Sequence, residues 1–299
     1  MRVPEISARQ RELLDGAIDL HVHAAPSPFP RRIGIREACE QAESVGFAAV
    51  AFKSHHHAMT TDVAAAAEFG PLPLPAYSGV TLNNYIGGIN PYAVELSFAM
   101  GGRMVWMPTT ASHAHVCCAD EIPFPQAAVP MTPDREIPIL DSEGSLLPEV
   151  LEVLALVRDN DGVLSTGHSG ADAVDVLVPV ARSLGMTRIL VSHPNYVVGA
   201  TPQRCRTWAE QGAVIEHSAC MYDKRSNLFG YEIDTMLEYL KAAGPHRSLL
   251  GSDLGQAGNP FPVEGFAQVA ELLVDAGVDV SSVKAIVSGT AARLIGEGT

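Results

Sequence analysis

Short apolar segments recur between helical segments along the whole chain, and this alternation restricts the fold more than any other feature. Such segments, bounded by Gly, Pro or polar residues, predict buried strands. We predict eight of them, at residues 17–24, 47–53, 76–80, 103–108, 162–168, 187–193, 213–217 and 248–253. Because helices separate the strands, the strands are expected to be parallel with right-handed crossovers. The sequence therefore predicts a single-domain α/β protein, a (β/α)8 TIM barrel over residues 1–299.

The segments between the strands carry helical patterns, with one exception. We predict helices at 5–15, 34–45, 60–69, 91–100, 146–160, 171–184, 202–211, 232–243, 262–276 and 281–295. The exception is 109–140, after strand four, where repeated prolines exclude long regular structure. We interpret 109–140 as a lid-like insertion over one end of the barrel. A doubly wound open sheet is the alternative fold, and we find no glycine-rich phosphate loop to support it.

Composition narrows the classes of partner. The 299 residues are 47% hydrophobic, which is enough for one large core. The formal net charge of −14 argues against nucleic acid or an anionic membrane surface as a partner, and favours a small-molecule substrate. Five cysteines without a Cys-x-x-Cys motif, and a charged N-terminus without an apolar core, favour a cytoplasmic protein. A homo-oligomer is a general expectation for barrels.

Polar residues stand where several of the predicted strands end. They are His21 and His23 at strand one, Lys53 at strand two, His168 at strand five, His193 at strand six and Asp253 at strand eight. The carboxyl ends of all strands in a (β/α)8 barrel surround one active site. Side chains alternate along a strand, so His21 and His23 are expected to point the same way. We therefore predict that these six side chains converge.

Imidazole and carboxylate groups together indicate a divalent metal site. Zn²⁺ is the expected ion, with Mn²⁺, Fe²⁺ or Co²⁺ as alternatives. A metal ion with an open position lowers the pKa of bound water to about 7. Asp253 is then the candidate general base, because a carboxylate beside the attacking water can take its proton and pass it to the leaving group.

The order of these residues resembles the amidohydrolase superfamily of metal-dependent hydrolases, and the resemblance covers essentially the whole chain. The resemblance implies that His21, His23 and Asp253 bind the more buried metal ion. It implies that His168 and His193 bind a second ion, or that His168 contributes to a single one. It also implies that Asp253 doubles as the general base.

One position departs from the superfamily pattern. Members with two metal ions usually carry a carboxylated Lys or a Glu at the end of strand four, where this chain has Met107-Pro108-Thr109. Lys53, one of four lysines in the chain, follows an apolar run at the end of strand two instead. A bare buried ammonium is costly, so we predict that Lys53 is carboxylated and bridges two ions. Pairing with a carboxylate or contact with substrate is the alternative, and the metal count stays open.

Further residues are candidates for substrate binding. His55, in the run His55-His56-His57, and Tyr196 and Tyr222 are predicted to contact substrate. A competing template is the polymerase-and-histidinol-phosphatase type of phosphoesterase, in which His55 would be a metal ligand. That template requires an Asp-x-His near the last strand, and the chain has Asp253-Leu254-Gly255 there.

Three weaker patterns remain. The histidines and cysteines of 113–118 are predicted to belong to an ordinary lid loop, with a structural zinc site as the alternative. We expect either Glu216 or His217 to face the pocket and to support a metal-ligating side chain. The alternative is that both residues only lie at the edge of the core. Arg31 and Arg32 can hold a substrate carboxylate or phosphate. We expect instead that both are ordinary surface arginines.

The sequence thus predicts an enzyme, a metal-dependent hydrolase with one or two divalent ions that cleaves an amide, lactone, ester or imide bond. A metal-dependent decarboxylase on the same scaffold is the first alternative. A catalytically silent metal-binding protein is the second, and the intact set of predicted ligands argues against it.

Overall fold

The computed structural model describes residues 4–119, 121 and 124–297 and shows an eight-stranded parallel sheet among them. Its strands are β1 Ile18–Val22, β2 Ala49–Phe52, β3 Ala76–Thr81, β4 Met104–Trp106, β5 Val163–Ser165, β6 Ile189–Ser192, β7 Val214–Ser218 and β8 Ser248–Gly251. Each strand pairs in parallel with the next along the chain. The predicted (β/α)8 barrel is confirmed.

The seam between β8 and β1 closes the barrel through backbone hydrogen bonds. Asp253 N donates to His21 O at 2.7 Å, and His23 N donates to Leu254 O at 2.8 Å. Closure leaves no free sheet edge, and it brings the residues that follow β8 beside the residues that end β1.

Helices follow the strands and cover the sheet. They are α1 Ala8–Leu14, α2 Ile35–Ser44, α3 Met59–Glu68, α4 Pro91–Ala99, α5 His113–Cys118, α6 Pro148–Asp159, α7 Ala171–Ser183, α8 Pro202–Glu210, α9 Ile233–Ala243, α10 Pro262–Asp275, α11 Val280–Lys284 and α12 Thr290–Ile295. Several begin with proline in the first turn and a capping side chain before it, as Asn90 and Thr201 show for α4 and α8. No helix in the described part of the chain is long and apolar enough to cross a bilayer.

The structure differs from the predicted elements at three places. The predicted helix 281–295 is interrupted by a π-helical segment, Ala285–Gly289, between α11 and α12. The strand predicted to end at His168 ends at Ser165, so His168 lies in the following turn. The insertion 109–140 is largely irregular, as expected, but contains the short helix α5; Asp120, Ile122 and Pro123 lie outside the described residues.

A cluster of buried apolar side chains from β1, β2 and β4–β8 fills the barrel below the strand ends. Trp106 is its largest member, and Ala291, Leu294 and Ile295 of α12 join it. The interior is therefore solid at the amino-terminal end of the strands. The polar strand ends are the part of the interior that remains available to a ligand.

The close approach of β3 and β4 depends on Gly79. A Cβ at Gly79 would lie 1.7 Å from the backbone oxygen of Met104, and this oxygen cannot move without breaking the ladder. We expect Gly79→Ala to lower the free energy of unfolding by about 3 kcal/mol or more, as a severe overpacking change. Urea denaturation measures this loss.

Gly34→Ala is the matched control, because a Cβ at Gly34 has nothing within 4 Å. We expect this control to change stability by no more than about 1 kcal/mol. Equal stability of the two variants would contradict the packing that the structure describes between β3 and β4.

Candidate metal centre

Three buried ligand atoms converge where β8 meets β1. Asp253 Oδ1 lies 3.0 Å from His23 Nε2 and 3.4 Å from His21 Nε2. The three residues are between 1% and 9% exposed, and their ligand atoms all lie within 4.8 Å of one another. Among the described residues, this is the group of His, Cys, Asp and Glu side chains that is close enough to hold one ion. The donor set is the one that Zn²⁺ and similar ions prefer.

A β-bulge in β1 sets the direction of His21. The pairing of β1 with β2 shifts between Asp19 and Val22, so β1 contains one extra residue. Leu20 packs in the apolar interior of the barrel, yet His21, the next residue, also faces inward. A bulge commonly re-aims a side chain beside an active site in this way. The predicted common direction of His21 and His23 is confirmed, and the bulge explains why Leu20 and His21 both face inward although they are adjacent.

The carboxylate of Asp19 supports this bulge. Its Oδ1 accepts hydrogen bonds from His21 N at 3.0 Å and from Ser252 N at 2.9 Å, and so ties β1 to β8. Burial raises the pKa of Asp19 to about 6, against the lowering effect of these bonds. Asp19 was not among the predicted site residues, although a charged residue inside an otherwise apolar strand was a usable signal.

Protonation states at the site suit metal binding. Burial lowers the pKa of His23 to about 3, so its imidazole is neutral at physiological pH. Burial alone would raise the pKa of Asp253, but His21, His23 and His193 hold this pKa well below its usual value. A neutral imidazole and a charged carboxylate are the forms that coordinate a cation.

Lys53 follows β2 directly, and its side chain is 1% exposed. Its Nζ lies 3.1 Å from His21 Nε2 and 5.8 Å from the centre of the Trp106 ring. Burial lowers the pKa of Lys53, while Asp253 and Glu216 oppose this shift. The structure therefore places Lys53 in contact with the candidate metal group, as the sequence predicted.

Glu216 holds His21 from the opposite side. Its Oε1 lies 2.6 Å from His21 Nδ1, which leaves Nε2 of His21 free to face Asp253. Such carboxylate partners orient ligating histidines and are important for metal affinity. His217 points to the outside of the barrel, where its ring lies 6.5 Å from that of Tyr239. Of the two residues considered at the end of β7, Glu216 therefore faces the site.

His168 and His193 form the other side of the site, and their ring centroids are 4.8 Å apart. The His193 ring lies 6.1 Å from that of His21, and burial lowers its pKa to about 4. His193 Nδ1 is buried without a hydrogen-bond partner among the described residues. His168 and His193 therefore lie beside the group formed by His21, His23 and Asp253, and they do not belong to it.

His115 reaches His168 from the insertion. Its Nδ1 lies 2.9 Å from His168 Nδ1, and the two rings stack at 5.0 Å. Cys117 and His113 are exposed instead, and His113 Nδ1 pairs with Glu136 at 3.0 Å. The histidines and cysteines of α5 therefore do not form a structural zinc site among the described residues, and the role of His115 carried no signal in the sequence.

His55 and Tyr196 line the site, whereas Tyr222 does not. The His55 ring stacks on His23 at 5.0 Å, and its Nδ1 lies 2.8 Å from Thr109 Oγ1. Tyr196 meets the His193 ring edge to face at 5.6 Å. Tyr222 is buried, and its hydroxyl accepts a hydrogen bond from Asn195 at 3.0 Å. The substrate contact predicted for Tyr222 stays a prediction.

A cavity of about 30 Å³ lies over these groups. The polar side chains that line it are His23, Arg31, Lys53, His55, His168, His193, Tyr196, Asp253 and Gln256. Phe29 and Phe124 cover it and meet edge to face at 5.9 Å. Phe124 and Pro125 belong to the 109–140 insertion, so the described part of this segment lies over the site as the lid interpretation requires.

The position of Arg31 differs from the expectation. We expected a surface arginine, but the structure places its side chain in the lining of the cavity. Arg32 turns away, stacks on the Phe261 ring at 3.9 Å and donates to the backbone oxygen of Asn259. Adjacent residues on this loop therefore have different roles, which the sequence alone does not distinguish.

Solved structures with the same fold are amidohydrolases and their relatives. An amidohydrolase from Pseudomonas aeruginosa has a TM-score of 0.59 at 13% identity, over 97% of this chain and 98% of that one. An amidohydrolase from Burkholderia multivorans with bound zinc has a TM-score of 0.55 at 13% identity, over 94% and 99%. A 2,6-dihydroxybenzoate decarboxylase has a TM-score of 0.55 at 12% identity, over 94% and 99%. At these identities the likeness establishes the amidohydrolase-type barrel as the fold.

The chain also matches a family model. Residues 16–216 match a family described as a family of unknown function, DUF6282. The match spans more than half of the 299 residues, and the chain belongs to this family. No curated protein matches the chain significantly.

The contact between Glu216 and His21 leads to a prediction about metal affinity. We expect Glu216→Gln to weaken the binding of Zn²⁺ by about 10- to 100-fold, because the amide no longer orients the His21 imidazole as a carboxylate does. Competition with a chromophoric chelator measures this affinity. The exposed Glu210 supplies the control, and Glu210→Gln is expected to bind Zn²⁺ like the unaltered protein. Unchanged affinity in Glu216→Gln would refute the supporting role of Glu216.

Proposed function

We propose that this protein is a metal-dependent hydrolase that cleaves an amide, lactone, ester or imide bond of a small molecule. The observation that carries the proposal is the convergence of His21, His23 and Asp253 beside the buried Lys53. When bound there, a divalent ion of the zinc type acts as a Lewis acid and lowers the pKa of water. His21, His23 and Asp253 would hold this ion.

Asp253 is the proposed general base. Its carboxylate is charged and reaches the cavity, so it can accept a proton from the attacking water and return it to the leaving group. His55 and Tyr196 line the same space and would contact substrate. His168 and His193 would bind a second ion, with Lys53 between the two sets.

The contacts of Lys53 support carboxylation of this residue. Burial favours the neutral amine, and a neutral amine reacts with carbon dioxide. The Nζ–C bond forms, one N–H proton is released, and the product is an anionic carbamate with two oxygen atoms. Such a group would place an anion with two oxygen ligands next to His21, where it could hold metal ions.

Decarboxylation of a small carboxylic acid is the second candidate function. One observation favours it: the described residues assemble a single close ligand group, as a mononuclear site requires. A decarboxylase releases carbon dioxide from a substrate without consuming water, so product analysis distinguishes it from a hydrolase.

Metal content tests the proposed site directly. We expect the protein, purified with bicarbonate and without chelator, to contain zinc or a similar ion by elemental analysis. Two ions per chain, falling to one in Lys53→Ala, would support the bridge, whereas one ion in both proteins would favour a mononuclear site. His23→Ala is expected to lose most of the metal, because it removes a ligand. The exposed His246 supplies the control His246→Ala. Absence of metal even after reconstitution would refute the proposal.

Catalysis by Asp253 is tested with the metal-saturated variant Asp253→Asn. An amide cannot accept the proton, so we expect kcat to fall by at least about 100-fold. A panel of N-acyl amino acids, lactones and esters provides the substrates, and metal content is measured in the same samples. A silent metal-binding protein would instead show no turnover in either form and retain its ligand affinity.

A further inference from the structure

Arg31 brings into the cavity of the proposed site a cation that has no ion-pair partner among the described residues. Its Nε is buried and has no hydrogen-bond partner among the described residues. No carboxylate of the described residues lies within ion-pair distance of its guanidinium, and Asp253 attracts it only from farther away. A buried donor without a partner is costly unless a ligand supplies the acceptor.

The position of Arg31 is fixed by its surroundings. Its backbone pairs with that of Gln256 in the loop after β8, and the next residue, Arg32, donates its amide N–H to Gly255 O at 2.8 Å. The guanidinium of Arg31 lies over the Phe29 ring at 5.7 Å. The Arg31 side chain is therefore held beside the cavity, so it loses little conformational entropy when a ligand binds.

The charges around the cavity favour an anion. Glu216 is already engaged by His21, and Asp253 faces the two histidines. The guanidinium of Arg31 has no such counterpart among the described residues, and a bound divalent ion would add further positive charge. A neutral ligand would leave the charge of Arg31 without a counterion, whereas an anionic group would supply one.

We propose that Arg31 binds a carboxylate of the substrate, and that the enzyme acts on small carboxylic acids. The inference rests on the proposed function, because it assigns the substrate class of the same site. A carboxylate matches the planar fork of a guanidinium with two parallel hydrogen bonds. A phosphate carries more oxygen atoms and a larger hydration shell to remove, so the carboxylate is the favoured group.

The matched pair acetate and acetamide tests the proposal without a known substrate. The two molecules have nearly the same shape and differ in charge. We expect acetate, but not acetamide, to shift the Nε–H resonance of Arg31 in protein labelled with ¹⁵N-arginine, both before and after metal loading. The absence of the resonance from Arg31→Gln assigns it. The shift itself is measured on the unaltered protein.

Variants of Arg31 measure how much its guanidinium contributes to the affinity for acetate. We expect Arg31→Gln to bind acetate at least 10-fold more weakly and to bind acetamide unchanged. Arg31→Lys keeps the charge but not the fork, so a smaller loss of acetate affinity is expected. Arg206 is exposed, and Arg206→Gln controls for the loss of one positive charge. Circular dichroism verifies that each variant is folded.

Three results would overturn the proposal: no shift of the Arg31 resonance by acetate, equal affinity of acetate and acetamide, or tighter binding of inorganic phosphate than of acetate. Because the metal-free protein is included, failure of this inference is distinct from failure of the proposed function. Absence of metal binding refutes the hydrolase proposal alone. Normal metal content without an effect at Arg31 refutes the assignment of the carboxylate alone.

Discussion

The seam between β8 and β1 is the constraint on which both the fold and the site depend. Asp253 N donates to His21 O at 2.7 Å, and Ser252 Oγ donates to the same oxygen at 3.0 Å. These bonds close the barrel and set Asp253 beside the two histidines. Asp253 adopts a left-handed backbone conformation, with φ of 52°, which the hydrogen bonds of the seam hold in place. Closure and ligand geometry are therefore consequences of the same contacts.

The seam between β8 and β1 brings several polar side chains into the buried interior, where their removal from water costs free energy. Asp19, His21 and Glu216 are all 1% exposed or less, and each is bonded to another member of the group or to the backbone. The raised pKa of Asp19 shows that its two amide contacts offset burial only in part. A barrel can retain such a group because its apolar interior and outer helices supply the stability. The free-energy cost of burying these polar side chains is consistent with a functional site.

The sequence predicted the barrel because each strand is an apolar run of its own, separated from the next by a recognisable helix. It predicted His21, His23 and Asp253 because parallel strands bring their carboxyl ends together wherever the loops go. It did not predict the bulge in β1, since one extra residue depends on pairing with β2. Nor did it place Arg31 and His115, because the direction of a loop side chain depends on contacts with distant residues.

The cavity over the candidate metal ligands is narrow. Its volume of about 30 Å³ is close to the share of one water molecule in the liquid, about 30 Å³, so any substrate needs more room than the structure offers. Phe124 and Pro125 are the part of the lining that belongs to a Pro-rich segment rather than to a strand end. The same segment carries His115, which contacts His168. The segment that covers the cavity is therefore also the segment that contacts His168, so the cover and this part of the predicted ligand set depend on the same contacts.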